Sequence, residues 1–137
     1  MALGALHILV VDDDRDTADS LAMILRLSGY AAKPAYDAAS AVRVARHSCP
    51  SVVFLDLAMP QVDGFKLAKQ LCSLPGMEKA ALVCVTGYAG PEYRKRAYRL
   101  GFARFLVKPI DPDEVLRLVA ALTPSPMESP LNTALLA

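Results

Sequence analysis

The stretch VVFLDLAMPQVDGF, residues 52–65, begins with an apolar run that leads directly into Asp56. A short apolar run bounded by turn residues is typical of a buried β-strand. Because an unpaired buried charge is costly, Asp56 is expected either to cap the next turn or to be a reactive group at a sheet edge. The pair Asp63-Gly64 is first of all a turn signal.

The composition fits one compact domain. The chain has 137 residues, of which 54% are hydrophobic and 21% are charged, as in a globular α/β protein. Its net charge of +1 does not suggest a nucleic-acid binder. No apolar run approaches the roughly 20 residues that span a bilayer, and the N-terminus lacks the basic segment of a signal peptide. Three widely spaced cysteines are expected to be reduced thiols, and the protein to be cytoplasmic.

Five short apolar segments are predicted to be strands, at residues 6–11, 30–36, 51–56, 81–86 and 103–107. Four of them are almost continuously apolar, which is typical of parallel strands covered on both faces. The exception, 30–36, contains Lys33 and Pro34. Because proline has no N–H to donate, this strand is predicted to lie at a sheet edge.

Four helices are predicted from apolar residues that recur three and four residues apart. Their stripes are Ala18, Leu21, Ala22 and Leu25; Ala38, Ala41, Val42 and Ala45; Leu67, Ala68, Leu71 and Leu74; and Val115, Leu118, Val119 and Leu122. Gly29 follows the first helix where a C-terminal glycine is expected. The last helix is predicted to start with Asp111 as N-cap and Pro112 in the first helical position, with Glu114 completing a box-like pattern.

A fifth helix is predicted at residues 91–101, where the apolar face is the thinnest in the chain. It consists mainly of Tyr93, Ala97 and Leu100. This helix is therefore expected to be the least firmly packed element. The basic residues Arg94, Lys95, Arg96 and Arg99, with Arg104 nearby, are either a solvated face or a docking surface for an acidic partner.

Alternating strands and helices with short connections predict a doubly wound parallel sheet, in which ligands bind beyond the carboxyl ends of the strands. The residues at those ends are Asp12, Asp13 and Asp14; Asp56; Thr86; and Lys108. Taken singly, each has a simple structural role, and Asp14 or Asp16 is expected to cap a helix. Their joint occurrence in this order at strand ends favours a functional site.

The chemistry of these side chains indicates phosphoryl transfer. Carboxylates at close range raise one another's pKa unless a cation intervenes, and an all-oxygen site suits Mg²⁺. A hydroxyl and an ammonium opposite the metal are what a transferring phosphoryl group needs. Asp56 would then be the nucleophile and form a mixed anhydride with phosphate.

The motifs ILVVDDD, FLDLAMPQVDGF, VCVTGYA and RFLVKPID resemble the receiver domain of two-component response regulators. The resemblance covers roughly residues 6–122. It implies a flavodoxin-like sheet of five parallel strands in the order 2-1-3-4-5, with five helices. Residues 1–122 are accordingly predicted to be the receiver domain, and residues 123–137 a flexible tail or truncated linker.

The resemblance also implies a role for each strand-end residue. Asp56 is the phosphoacceptor, and Mg²⁺ is bound by Asp13, Asp56 and the backbone carbonyl of Ala58, with Asp12 binding directly or through a water molecule. Lys108 and Thr86 contact the phosphoryl group, the Lys108–Pro109 bond is cis, and Phe105 is the switch aromatic. Ala58 and Tyr88 occupy the two positions that tune phosphate lifetime. Since neither can orient an attacking water, slow self-dephosphorylation is expected.

By the same resemblance, the chain is a signalling domain and not an enzyme. Its phosphoryl donor is a histidine kinase or phosphotransfer protein, and phosphorylation switches the face formed by the fourth helix, the fifth strand and the fifth helix. The output partner is an unidentified protein, with no direct nucleic-acid or membrane binding. The fifth strand lacks the acidic pair of receivers that dimerise through this face, so that dimer is not expected.

Two other functions are compatible with parts of the pattern. A hydrolase of the haloacid dehalogenase type also uses a strand-end aspartate with Mg²⁺, but it needs a second aspartate where this chain has Ala58. A degenerate receiver would act as an unphosphorylated protein-binding module. The complete set of strand-end residues argues against that module without excluding it.

Overall fold

The computed structural model describes residues 6–87 and 90–122. Strands and helices alternate along these two ranges. They are β1 His7–Val11, α1 Arg15–Leu27, β2 Ala31–Ala35, α2 Ala38–Ser48, β3 Val52–Asp56, α3 Gly64–Cys72, β4 Ala81–Thr86, α4 Pro91–Arg99, β5 Arg104–Val107 and α5 Pro112–Leu122. Each predicted strand is present within about one residue of its predicted bounds.

The five strands form one parallel sheet in the order β2-β1-β3-β4-β5. The predicted flavodoxin-like order is therefore confirmed. Strand β2 lies at an edge, where Pro34 stands opposite Val10 of β1. Because no strand pairs with the outer side of β2, the missing N–H of Pro34 interrupts no hydrogen bonds there. The predicted edge position of this strand is confirmed.

Two apolar layers cover the two faces of the sheet. Because side chains alternate along a strand, Leu9 and Leu55 belong to the core under α2, α3 and α4. Ile8 and Phe54 point the other way, into the core under α1 and α5. All four are at most 2% exposed, which explains why these strands are apolar without alternation.

The end of α1 follows a local signal, whereas the helices predicted to reach Leu74 and Gly101 end earlier, at Cys72 and Arg99. At the end of α1, Gly29 adopts φ +100° and its N–H donates to Arg26 O, while the Tyr30 N–H donates to Leu25 O. These two bonds form the Schellman motif that the glycine predicted. The apolar stripe that starts at Leu67 predicts a helix that reaches Leu74, and this boundary is wrong. Helix α3 ends at Cys72, and Leu74 is buried in the following turn instead.

Helix α4 has the thin apolar face that the sequence predicted. Ala97 is its one buried residue, whereas Tyr93 is half-buried. Helix α5 begins as expected, because the Asp113 N–H donates to Asp111 Oδ1 over 3.0 Å and Pro112 is the first helical residue. In the described part of the chain, no helix combines the length and apolar character needed to cross a membrane.

Candidate functional site

The carboxyl edge of the sheet brings the predicted strand-end residues together. The Asp12 N–H donates to Ala35 O over 3.0 Å, and the Lys108 N–H donates to Thr86 O over 2.8 Å, so both residues continue their ladders by one bond. Asp56 is the last residue of β3 and Thr86 the last of β4. Parallel strands in register therefore place a carboxylate pair, a hydroxyl and an ammonium on one rim.

Three carboxylates form the centre of this rim. Asp12, Asp13 and Asp56 each offer an oxygen within 4.8 Å of the others. Asp12 and Asp56 are 3% and 5% exposed, while Asp13 is exposed to solvent. Burial raises the pKa of Asp12 more than its hydrogen bond to Lys108 lowers it, and the charge of Asp56 raises it further. A cluster of hard oxygen donors with excess negative charge and one open side fits a divalent cation such as Mg²⁺.

Lys108 bridges two of these carboxylates. Its Nζ lies 2.9 Å from Asp12 Oδ2 and 3.0 Å from Asp56 Oδ2. Burial by itself would lower the pKa of Lys108, but its hydrogen bonds to Asp12 and Asp56, together with the charges of these carboxylates, outweigh burial and raise it. The sequence predicted this lysine only as a phosphoryl contact, because no local signal joins residues 96 positions apart. The Lys108–Pro109 bond is cis, as predicted.

The neighbouring aspartate has a different role. Asp14 is the N-cap of α1, and its side chain accepts hydrogen bonds from the Asp16 N–H at 3.2 Å and from Thr17 Oγ1 at 2.8 Å. The Thr17 hydroxyl lowers the pKa of Asp14, which keeps this carboxylate ionised. The prediction of a cap at Asp14 or Asp16 is thus confirmed for Asp14, and the cluster of three carboxylates does not include it.

The segment after Asp56 is held by its backbone. The Ala58 N–H donates to Asp56 Oδ1 over 2.9 Å, which orients the carboxylate. Asp63 caps α3 by accepting from the Phe65 and Lys66 N–H groups. A Cβ on Gly64 would lie 2.8 Å from the Cα of Leu57, so only glycine allows α3 to pack this close to the residue after Asp56.

An aromatic cluster links the segment after Asp56 to α4 and β5. The Tyr93 ring contacts Phe65 and Phe105 edge-to-face, with centroids 5.4 and 6.5 Å apart, and the Tyr93 hydroxyl donates to Leu57 O over 3.4 Å. Phe105 is only 9% exposed and lies beneath the Arg94 guanidinium, 4.7 Å from its ring centroid. The sequence predicted Tyr93 only as part of the apolar face of α4. Its contacts with α3, β5 and the segment after Asp56 could not be predicted, because they come from three separate parts of the chain.

The remaining predicted site residues are placed as follows. Thr86 is fully buried at the end of β4. Ala58 is exposed, two residues after Asp56, and its roles as a metal ligand and in phosphate lifetime stay predictions. Tyr88, the other position predicted to tune phosphate lifetime, lies outside the described residues, and so does the tail at 123–137.

Comparison with known sequences identifies the family. The sequence profile described as "Response regulator receiver domain" matches residues 8–120. The chain belongs to this receiver family. The receiver is 40% identical over 117 residues to an uncharacterized 14.6 kDa protein of Leptolyngbya boryana, a match that covers 85% of this chain and 89% of that protein. The family assignment also excludes the dehalogenase-type hydrolase as an interpretation of the whole chain.

Other relatives are longer than the receiver. It is 36% identical over 117 residues to the transcriptional regulatory protein PrrA of Mycobacterium tuberculosis, covering 85% of this chain and 49% of PrrA. The chain thus spans about half the length of that relative.

Solved structures agree on the fold. The chemotaxis protein CheY4 of Vibrio cholerae superposes with a TM-score of 0.82 at 23% identity, covering 88% of this chain and 100% of CheY4. A CheY-like receiver domain protein from Methanospirillum hungatei gives a TM-score of 0.79 at 25% identity, covering 86% of this chain and 93% of that one.

Proposed function

We propose that the receiver accepts a phosphoryl group on Asp56 from a phosphohistidine of a histidine kinase or phosphotransfer protein. One observation carries this proposal. Asp56 Oδ2 lies 3.0 Å from Lys108 Nζ, in a cluster whose carboxylate oxygens are within 4.8 Å of one another. A nucleophilic carboxylate beside both a cation and a prospective metal site is suited to phosphoryl transfer, in which positioning and charge neutralisation supply most of the catalysis.

The transfer exchanges one bond to phosphorus for another. An Asp56 oxygen forms a bond to phosphorus while the bond from phosphorus to the donor imidazole nitrogen breaks. The electron pair of the broken bond stays on the imidazole, which takes a proton from solvent. Asp56 becomes an acyl phosphate, and Lys108 and Thr86 contact its phosphoryl oxygens. The chain promotes this step on itself and acts as a signalling domain.

Asp13, Asp56 and the Ala58 carbonyl would hold Mg²⁺, with Asp12 binding directly or through a water molecule. When bound, the ion neutralises negative charge on the phosphoryl oxygens. In its absence, Lys108 is the only cation among the described residues that is ion-paired with the cluster of three carboxylates. That imbalance supports the assignment of a divalent ion to this rim.

Phosphorylation then shifts a conformational equilibrium. A phosphoryl group that contacts Thr86 and Lys108 better in one state than in another favours the first state. Phe105 on β5 carries the change to the face formed by α4, β5 and α5. The single buried residue of α4 supports this role, since switching elements come from the less stable parts of a fold.

Slow self-dephosphorylation follows from the residues at the two lifetime positions. Neither Ala58 nor Tyr88 has a carboxylate or amide that could orient an attacking water. Tyr88→Glu is therefore expected to accelerate loss of the phosphoryl group, measured as the decay of phosphorylated protein by mass spectrometry. An unchanged decay rate would contradict this assignment.

The proposal places the receiver domain at residues 1–122, with a tail or linker at 123–137, in the cytoplasm. Its output partner is a protein, and it binds neither nucleic acid nor membrane directly.

The proposed function is tested by intact mass after incubation with Mg²⁺ and acetyl phosphate. The expected result is one added phosphoryl group on the wild type and none on Asp56→Asn. If Mg²⁺ binds but neither acetyl phosphate nor a phosphohistidine donor labels the wild type, the protein is instead an unphosphorylated binding module. Labelling of Asp56→Asn would show that another residue is the acceptor.

A further inference from the structure

A cleft between α3 and α4 gathers four cationic side chains. It has a volume of about 290 Å³ and is lined by Lys66 and Lys69 of α3 and by Arg96 and Arg99 of α4. We call it the basic cleft. It lies on the α3 side of α4, apart from the α4–β5–α5 face that the proposed switch uses. The basic run noted in the sequence therefore contributes only two of its residues to the cleft, and α3 contributes the other two cations.

None of the four cations forms an ion pair with a carboxylate of the residues that the structure describes. Among the residues that the structure describes, both ion pairs within 4.0 Å involve Lys108 at the phosphorylation site. Asp63 also lines the basic cleft, but its Oδ1 accepts the Phe65 and Lys66 N–H groups at the start of α3. Like charges close together on one helix repel each other. Each of the two cation pairs therefore slightly destabilises its helix when no anionic ligand is bound.

The floor of the basic cleft is apolar. Phe65 is 5% exposed, and the Arg96 guanidinium lies 4.0 Å from its ring centroid. Stacking on an aromatic ring holds an arginine in place and reduces the entropy that a ligand contact must overcome. Leu100 provides further apolar surface at the end of α4. The cleft thus combines a small apolar patch, at Leu100 and the edge of Phe65, with a pair of cations on each side.

We propose that the basic cleft binds an acidic amphipathic helix of a partner protein. Such a helix has carboxylates flanking an apolar stripe, so its carboxylates complement the two cation pairs and its apolar side chains meet the small apolar patch. Lys66 and Lys69, like Arg96 and Arg99, are three residues apart, about 4.5 Å along a helix axis. Carboxylates three or four residues apart on a facing helix have a similar rise and can engage both members of a pair.

A helix fits this surface better than a nucleic acid does. Backbone recognition of nucleic acids uses an extended track of phosphate contacts, whereas these four cations border one short cleft with an aromatic floor. Arginine also binds carboxylates in a bidentate manner, which favours an acidic side chain as the ligand. The proposal does not require phosphorylation of Asp56, and it extends the function beyond phosphoryl acceptance.

The test uses the full chain carrying Asp56→Asn, so that the result is independent of phosphorylation. The probe is a synthetic amphipathic helix with glutamates flanking a leucine stripe, compared with a scrambled peptide of the same composition. We expect the ordered peptide to bind more tightly and to shift amide NMR signals on α3 and α4. Lys69→Gln with Arg99→Gln should weaken binding about five- to tenfold.

The matched control is Arg43→Gln with Arg46→Gln, since these arginines are exposed and three residues apart on α2. This variant should change the affinity less than about twofold, because it removes the same charge from a different surface. Equal weakening by both double variants, or equal binding of the scrambled peptide, would overturn the proposal. Displacement of the peptide by a single-stranded oligonucleotide of equal charge at lower concentration would assign the cleft to nucleic acid instead.

Discussion

Lys108 Nζ lies 3.0 Å from Asp56 Oδ2, and the two side chains are 28% and 6% exposed. The same ammonium also contacts Asp12 at 2.9 Å. One cation therefore neutralises part of the charge of two buried carboxylates. This arrangement joins the end of β5 to the ends of β1 and β3, so it contributes to stability as well as to the chemistry of the rim.

Lys108→Met should lower the free energy of unfolding by about 1–3 kcal/mol. The expected loss is below the roughly 3–5 kcal/mol of a fully buried pair because Lys108 keeps partial exposure. Urea denaturation at pH 7 with EDTA measures it, and Lys33→Met on exposed β2 surface is the control. Added Mg²⁺ should restore part of the loss, and no destabilisation of Lys108→Met would contradict a stabilising role for the bridge.

Gly64→Ala should destabilise the receiver by about 1–3 kcal/mol, despite alanine's better helix propensity. The new Cβ would lie 2.7 Å from Leu57 Cδ2 and 2.8 Å from Leu57 Cα, and the backbone atom cannot move aside cheaply. Because Leu57 follows Asp56, labelling by acetyl phosphate should also slow. Gly87→Ala is the control for stability, since a Cβ there meets no described atom within 4 Å. Equal stability of both variants would refute the packing argument.

Tyr93→Phe isolates the hydroxyl that joins α4 to the segment after Asp56. The ring contacts with Phe65 and Phe105 remain, while the 3.4 Å hydrogen bond to Leu57 O is lost. We expect a loss of less than about 1 kcal/mol and faster amide hydrogen exchange in the first turns of α4. Tyr93→Ala should cost about 1–3 kcal/mol because the ring is removed as well. Unchanged exchange in Tyr93→Phe would show that the hydroxyl does not anchor α4.

Asp37→Ala should lower the Tm at neutral pH and have little effect in acid. Hydrogen bonds from the Ser40 N–H and hydroxyl lower the pKa of Asp37, the N-cap of α2. Its stabilising contribution is thus complete above the ordinary pKa of about 3.9 and is lost as the pH falls through the lowered value. We expect a Tm difference of about 2–5 °C at pH 7 that shrinks below about pH 4. Asp37→Asn keeps a cap that does not titrate, so a similar pH dependence in that variant would refute the assignment.

Local patterns in the sequence were sufficient for most of the architecture. The continuous apolar runs predicted buried parallel strands, Pro34 predicted an edge strand, and Gly29 predicted the end of α1. Each of these features depends on a residue's own backbone chemistry or on the burial of both faces of a strand. Leu74 was assigned to a helix because apolar periodicity does not distinguish the last turn of a helix from a buried turn after it.

The sequence by itself determined the strand order, through the family resemblance, and the set of side chains at the strand ends. Only the tertiary structure decided how those side chains pair. The contacts of Lys108 with Asp12 and Asp56, and of Tyr93 with Leu57, join residues 36 to 96 positions apart. The basic cleft likewise needs α3 and α4 side by side. Such contacts depend on how separate elements pack, and no pattern within one segment records that packing.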